Sequence, residues 1–497
     1  MIQGTGSGAG KSLIVTALCR ILRNSGLNVA PFKSQNMALN SFITTGGGEM
    51  GRAQALQAEA ARIEPTADMN PILLKAQGES GCQVIIQGRV HKSMKAREYY
   101  AFKDRAWEAA KASFEALSSK HDIIVIEGAG SPAEINLMDV DIVNMSVAKY
   151  ANAPVLLVGD IDKGGVFASL YGTVTLLGRD SRYIKGFIIN KFRGDADILK
   201  PGLDMISEKT STPVVGVLPY FDCTGLPEED GLALSRPTAK NPQVGKDIRI
   251  VIVRLKFISN FTDFDALIQE PDVEVIFSDN PADIENCDMV IIPGTKNTME
   301  DLLHLREKGL DRSITRANAK GIGIVGMCGG YQMLGHRICD PHSVEGRHRE
   351  IDGMGLLNIQ TNFENIKTTC QVEASINGHD FPFSASNTGT CLRGYEIHMG
   401  TSSGDVGIFR LRRFPDHGVE ILDGSMKGHC WGTYIHGIFD NDWFRRAIIN
   451  DLRAKKNLPA LESGINYASL KDRAIDGIAS MVMQNIDMEF VDRLLKL

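Results

Sequence analysis

Short apolar runs rich in β-branched residues punctuate the first half of the chain, at Asp122–Ile126, Pro154–Val158, Gly186–Asn190 and Pro213–Leu218, with longer mixed stretches between them. Apolar runs of this length predict strands buried on both faces, and the stretches between them predict helices. Strand and helix in alternation predict a parallel α/β sheet. From Pro227 to Asp247 the chain turns polar, with Pro-Glu-Glu-Asp-Gly and Arg-Pro-Thr-Ala-Lys-Asn-Pro, a composition that buries little and predicts a linker. A second α/β series follows at Ile248–Leu255, Val273–Phe277, Met289–Ile292 and Ile322–Gly326 and closes near Phe439. Beyond Trp443, Leu470, Ala474, Ile478 and Val482, then Val491, Leu494 and Leu495, recur at helical spacing and predict one or two helices packed on a domain. The expected organisation is an α/β half over 1–228, a linker over 229–247, a second α/β half over 248–445 and a helical tail over 446–497.

Composition narrows the class. At 497 residues the chain is long enough for two to four domains, and 43% hydrophobic with 23% charged residues is the balance of a folded, water-soluble protein. The net charge of -6 lacks the basic excess of a nucleic-acid binder. Its longest apolar runs, such as Ile123–Ile126 and Met289–Ile292, fall far below the ~18 residues of a membrane span. Neither a nucleic-acid nor a membrane partner is expected. The nine cysteines include no CxxC pair, the closest two being Cys328 and Cys339, and the N-terminus has no charged segment followed by an apolar one. Reduced thiols and a cytoplasmic location are expected.

Gly4-Thr5-Gly6-Ser7-Gly8-Ala9-Gly10-Lys11-Ser12 opens a helical run, Leu13 to Leu22. Small residues such as Gly8 and Gly10 let backbone N–H groups turn toward phosphate, and the helix N-terminus adds its dipole. Lys11 can reach the terminal phosphates, and the Ser12 hydroxyl can hold magnesium. A site for ATP and Mg2+ is expected. The spacing departs from GxxxxGK[ST], which needs Gly where Thr5 stands, and resembles the one-residue-longer loop of the dethiobiotin synthetase group. Only Met1 to Gln3 precede it, which leaves a short feeding strand and raises the expectation that the natural chain starts a few residues earlier. Glu127, after the strand Asp122–Ile126, stands at the strand end that faces the ligand crevice of a doubly wound sheet, as a candidate magnesium ligand or γ-phosphate organiser. Asp160 and Asp162, with Lys163 and a Gly pair, follow the next strand; a solvated charged turn is the competing reading. Asn190, which could hydrogen-bond an adenine, ends a third strand at the same edge.

Gly326-Met327-Cys328-Gly329-Gly330 follows a predicted strand and precedes a predicted helix. Glycines on both sides allow the sharp elbow that holds a nucleophile out of a sheet, where the N–H groups that follow can stabilise an oxyanion. Cys328 is thus a nucleophile candidate, with the N–H of Gly329 and the Pro293-Gly294 turn as oxyanion donors. A thiolate nucleophile needs a base. Of the 11 histidines, His436 in Tyr434-Ile435-His436-Gly437-Ile438 is the best placed, with His398 a rival and His429 a weaker one; spacing leaves the choice open.

Gly326–Gly330 with His436 resembles the class I glutamine amidotransferase domain, a flavodoxin-like fold in which a cysteine attacks the side-chain amide of glutamine and releases ammonia. Most such domains carry a Glu two residues after the His; here that position is Ile438. His-Gly in this place, together with Tyr395-Glu396-Ile397-His398, resembles the cobyric and cobyrinic acid amidotransferase subgroup. That choice makes His436 the base, with its orienting partner sought at Glu396, Asp440 or the His398 region. Pro31-Phe32-Lys33-Ser34-Gln35-Asn36-Met37, Gly51–Ala60, Met69–Lys75 and Asp160–Phe167 are similar, more narrowly, to cobyric acid synthases of cobalamin biosynthesis. The resemblance implies four amidations, on the b, d, e and g carboxylates of adenosylcobyrinic acid a,c-diamide, each using ATP and glutamine. Lys33, Gln35, Asn36 and Lys75, with Asp160 and Asp162, are then the expected contacts to the corrinoid substrate. Carboxylates are poor electrophiles, so activation by phosphoryl transfer explains a phosphate loop and a glutaminase in one chain. One alternative is the sister a,c-diamide synthase. A nucleotide-dependent partner-binding switch is another, and it has no use for a cysteine elbow.

Overall fold

In the computed structural model, residues 1–77, 81–221, 225–227, 246–377, 391–415, 419–462 and 464–496 are described. Positions 229–245 of the expected linker lie outside them. The predicted strands of the first half form at Ile123–Ile126, Val155–Asp160, Ile184–Phe192 and Val214–Pro219. Ile2–Gly4 pairs with Val155–Asp160, which pairs with Ile184–Phe192 and so on to Val214–Pro219, every pairing parallel. Ile123–Ile126 pairs in parallel with Val29–Phe32 and reaches Ile2 through a bridge at Glu127. Val155–Asp160 is buried along its whole length, as an unbroken apolar run demands of a central parallel strand. The loop at Gly4–Gly10, Glu127, Asp160 and Asn190 therefore gather at the C-terminal edge of one sheet.

The second half builds a sheet in which Val273–Ser278, Ile248–Val253, Met289–Ile292, Gly323–Met327 and Cys430–Thr433 lie in parallel, with Ser425–Lys427 antiparallel at the edge. Counted along the chain, the parallel strands run 2-1-3-4-5, the flavodoxin-like winding. Sequence patterning did not reveal two further sheets. One contains Gln35–Met37, Ile72–Gln77, Gly81–Ile86 and Arg89–Lys95. The other is built on Ile359–Ile376, antiparallel to Leu392–Gly404.

The helix Asp442–Lys455 buries Phe444, Ile448, Ile449 and Leu452 in the core of the second half, so the boundary expected at 445/446 falls inside it. The helix Tyr467–Asn485 crosses back to the first half. Its Ile475, Ile478 and Val482 join Ile14, Leu18 and Leu22 of the helix that starts at Lys11. Arg20, fully buried there, donates to Asp472 at 2.5 Å, Asp476 at 2.8 Å and the Ala60 carbonyl at 2.9 Å.

A hairpin of the first half, Ser41–Ile43 antiparallel to Glu49–Gly51, docks against Ile359–Ile376 and Leu392–Gly404 of the second. Glu49, fully buried, accepts from Lys75 Nζ at 2.9 Å and from Lys367 Nζ of the second half at 2.5 Å. Thr369 donates to the Gly47 carbonyl at 2.8 Å, and the Tyr395 hydroxyl to the Ser41 carbonyl at 3.2 Å. Burial raises the cost of the Glu49 charge, but Lys367 and Lys75 outweigh it and hold the carboxyl well below the usual range. Glu49→Gln leaves two buried ammonium groups without their anion. It is expected to cost about 3–5 kcal/mol, read as a lowered melting midpoint, and the further change Lys367→Met should cost less than the two single effects added.

Candidate active sites

At the first sheet edge, Gly8 and Gly10 take positive φ values of 71° and 97°, and a Cβ on Gly10 would collide with the Asn190 side chain. Asn190 Nδ2 donates to the Ala9 carbonyl at 2.8 Å, and Lys191 Nζ to the Gly8 carbonyl at 2.7 Å and to Asp160 at 2.8 Å. Asn190 thus braces the loop from below; its amide donor points to the backbone of the loop rather than to an adenine. Lys11 Nζ donates to the Gly6 and Gly130 carbonyls at 2.9 and 3.2 Å, across the mouth of the loop.

Ser12 Oγ donates to Glu127 Oε1 at 2.8 Å, which brings the two expected magnesium ligands together. The hydroxyl, the carboxylate and an open position beside Gly6 suit a magnesium-bearing triphosphate. Lys33 departs from the expectation of a corrinoid contact: it is buried and ion-paired with the same Glu127 oxygen at 2.8 Å. Asn36, also buried, donates to Gln54 at 3.0 Å, and Gln35 accepts from the Tyr99 hydroxyl. Asp160 is tied to Lys191, whereas Asp162 stays half exposed, 3.5 Å from Arg193. Lys75 lies in the other site, on the wall of the cavity that contains Cys328.

Cys328 forms the elbow between Gly323–Met327 and the short helix Gly329–Leu334, with φ 51° and ψ -109°. Only small neighbours permit this. A Cβ on Gly326 would come within 2.7 Å of the Tyr331 backbone, one on Gly329 within 2.6 Å of Thr295, and one on Gly330 would overlap the Ile292 carbonyl. Gly294 stands across the elbow: a Cβ there would sit 3.3 Å from His436 Cε1 and 3.7 Å from Cys328 Cβ. The structure thus brings Cys328, Gly294, Gly329 and His436 together, as the sequence expectation required. His398 stacks on Tyr434 with ring centroids 3.8 Å apart and binds Glu396 at 3.2 Å, while Glu396 also takes Arg413 at 2.6 Å. Gly321 lies beside His429, before the start of the elbow strand.

Residues 1–232 match the CobQ/CobB/MinD/ParA nucleotide binding domain, and residues 249–444 the CobB/CobQ-like glutamine amidotransferase domain. The cobyric acid synthase of Thermodesulfovibrio yellowstonii is 48% identical over 99% of this chain and 98% of its own length. That of Caldanaerobacter subterraneus subsp. tengcongensis is 49% identical over 100% and 98%. The chain belongs to the cobyric acid synthase family. Among solved structures, PurLQS from Thermotoga maritima covers 46% of this chain and 98% of its own at 18% identity and a TM-score of 0.30, too distant to bear on function. No helix among the described residues is long and apolar enough to cross a membrane.

For a member of this family, the decisive finding is the group on the far side of His436. Asp263 Oδ2 lies 2.6 Å from His436 Nδ1, and its Oδ1 accepts the Gly437 N–H at 3.0 Å. Neither Glu396 nor Asp440 fills the expected orienting role: Glu396 is bound to Arg413 and His398, and Asp440 makes no hydrogen bond to the ring. Asp263 sits in the single turn Phe261–Phe264 that follows the first strand of the second sheet. The segment Ser259-Asn260-Phe261-Thr262-Asp263, in the loop beyond the strand Ile248–Val253, was the available signal, weaker than at Glu127 and Asp160, which stand directly at their strand ends. With Nδ1 bound to the carboxylate, Nε2 faces inward without a hydrogen bond among the described residues, and Cys328 Sγ donates to the Ile397 carbonyl at 3.6 Å. Burial alone would lower the His436 pKa; the Asp263 charge, its hydrogen bond and the nearby Cys328 overturn this and push it up to about 10.

Asp263→Asn should therefore cut glutamine-dependent synthesis by about 10²–10⁴ while ammonium-dependent synthesis persists, measured by product formation with each nitrogen donor. The folded-state pKa of His436 lies above its unfolded value near 6.5, so its contribution to stability is complete below ~6.5 and is lost as pH rises toward about 10. In Asp263→Asn that part of the alkaline fall in stability should disappear from denaturation curves taken across this range.

Proposed function

We propose that the chain makes adenosylcobyric acid, using ATP and glutamine to amidate the b, d, e and g carboxylates of adenosylcobyrinic acid a,c-diamide. An ATP-dependent half, over about 1–228, activates each carboxylate as an acyl phosphate, and a glutaminase half, over about 248–445, supplies the ammonia. The observation that carries this reading is the Cys328 elbow beside an Asp263-clamped His436, in one chain with a phosphate loop braced by Asn190 and Lys191. A partner-binding switch needs no such elbow. The full-length relatives are cobyric acid synthases, which disfavours the a,c-diamide synthase alternative.

In the glutaminase half, His436 Nε2 takes the Cys328 thiol proton while Asp263 stabilises the imidazolium that forms. The sulfur attacks the glutamine amide carbon, and the N–H groups of Gly294 and Gly329 receive the developing oxyanion. His436 returns the proton to the departing nitrogen as the C–N bond breaks, giving ammonia and a thioester. Water activated by His436 then cleaves the thioester to glutamate and frees the thiol. In the other half, Lys11 neutralises charge on the transferring γ-phosphoryl group while a substrate carboxylate oxygen attacks phosphorus and ADP departs. Ser12 and Glu127 would hold Mg2+, which when bound offsets the phosphate charge. Ammonia attacks the acyl carbon and phosphate leaves, forming the amide.

Lys11→Ala should abolish synthesis with glutamine and with ammonium alike, because activation precedes attack. Cys328→Ser should lose glutamine-driven synthesis by orders of magnitude yet still amidate at high ammonium and raised pH. Corrinoid products are followed by mass; ammonium-driven synthesis surviving in Lys11→Ala would overturn the assignment of the loop.

A further inference from the structure

The cavity at Cys328 is walled by both halves. Lys296 and Glu345 of the second half line it, with Lys367, and Lys75 and Gln83 of the first half complete it. Three ammonium groups thus meet two carboxylates. Lys75 and Lys367 are both committed to Glu49. The hydrogen bond found for Lys296 Nζ is to a neutral group, Gln83 Oε1 at 3.4 Å. Glu345 accepts from the Thr298 backbone N–H at 2.7 Å and its hydroxyl at 3.3 Å, and no ion pair within 4.0 Å joins it to a described cation. The cavity beside Cys328 therefore presents one amine and one carboxyl side chain that are not joined to each other.

We propose that Lys296 and Glu345 form the socket for the α-carboxylate and α-ammonium of glutamine, fixing the amino acid by its charged head so that the side-chain amide reaches Cys328. This rests on the glutaminase reading above and adds the residues that select the substrate. The chemistry fits: an amide-bearing amino acid carries one opposite charge for each member of the pair, and a buried charge is stabilised when paired. Without such a ligand both groups are strained. Burial pushes the Glu345 carboxyl up to about 8, and burial with the neighbouring Lys367 and Lys75 drives the Lys296 ammonium well below its ordinary pKa. Gln83 Oε1 accepts from both Lys296 and Lys367, at 3.4 and 3.1 Å, so a side chain of the first half helps position the carboxylate-binding lysine.

The test compares glutamine with two amides that each lack one charge, 4-aminobutanamide without the carboxylate and glutaramate without the ammonium, in a glutaminase assay on the full chain. Lys296→Met is expected to raise KM for glutamine about 10- to 100-fold with a much smaller change in kcat, and to bring glutamine close to 4-aminobutanamide in kcat/KM. Glu345→Gln should do the same relative to glutaramate, with each variant still discriminating against the other analogue. Lys296→Gln, which retains a donor for Gln83, should share the Lys296→Met pattern, and ammonium-driven synthesis checks that each variant is folded. Unchanged discrimination in these variants, or an equal kcat loss with all three amides, would overturn the proposal while leaving the glutaminase reading intact. Glutamine hydrolysis surviving in Cys328→Ser would overturn that underlying reading instead.

Discussion

A single carboxylate, Glu49, holds the two halves of this molecule in register. Fully buried, it lies between Lys75 of its own half and Lys367 of the other, and shares the Ser41 hydroxyl with Lys75. Ion pairs removed from water add little net stability, since desolvation offsets most of the attraction, but they penalise heavily any arrangement that separates the partners. A slip of the interface would leave Lys75 beside Glu49 but take Lys367 away from it, stranding a buried ammonium group in a medium of low dielectric. Lys75 also belongs to the wall that the first half contributes to the cavity of Cys328.

The elbow itself is maintained by a different constraint. A non-glycine residue at φ 51° and ψ -109° is strained by about 1–3 kcal/mol and persists only where its surroundings leave no alternative. Gly326, Gly329 and Gly330 allow the helix to start against Ile292 and Thr295 with no room for a side chain, and Gln332 inside that helix is fixed by Thr298 and Tyr434. The sulfur is held by this packing and by its hydrogen bond to the Ile397 carbonyl at 3.6 Å. His436, the proposed base, is pinned by bonds: Asp263 holds its Nδ1 side and the next peptide N–H together.

What could be read from the sequence was what is local. The phosphate loop, the buried parallel strands, the cysteine elbow and the strand-end histidine each depend on neighbours within about ten positions, and each appears where expected. Asp263 escaped because it meets His436 across 173 residues, through a turn set by Asn260 at φ 52°. Lys33 looked like a substrate contact because a basic residue beside amides reads as a surface; in the fold it neutralises Glu127. The strand Ile359–Ile376 mixes exposed, half-buried and buried positions because it lies at the seam between halves, so no clean alternation marked it. The helix Tyr467–Asn485 showed its apolar stripe plainly but not its destination, since a stripe does not name the surface that covers it.

The same seam explains why His436, the proposed base, cannot be considered apart from the first half. The Ser41 N–H donates to Asn260 Oδ1 at 3.0 Å, at the start of the turn that carries Asp263. The Ser41 carbonyl accepts from Tyr395, whose ring stacks on His436 with centroids 5.3 Å apart. One residue of the first half therefore touches both supports of His436, the turn that carries Asp263 and the ring that stacks on the imidazole. Ser41 also donates through its hydroxyl to Glu49, so the residue that steadies His436 is anchored on the ion pair that docks the halves. The supports of His436 and the ion pair that docks the halves thus meet at one residue, Ser41.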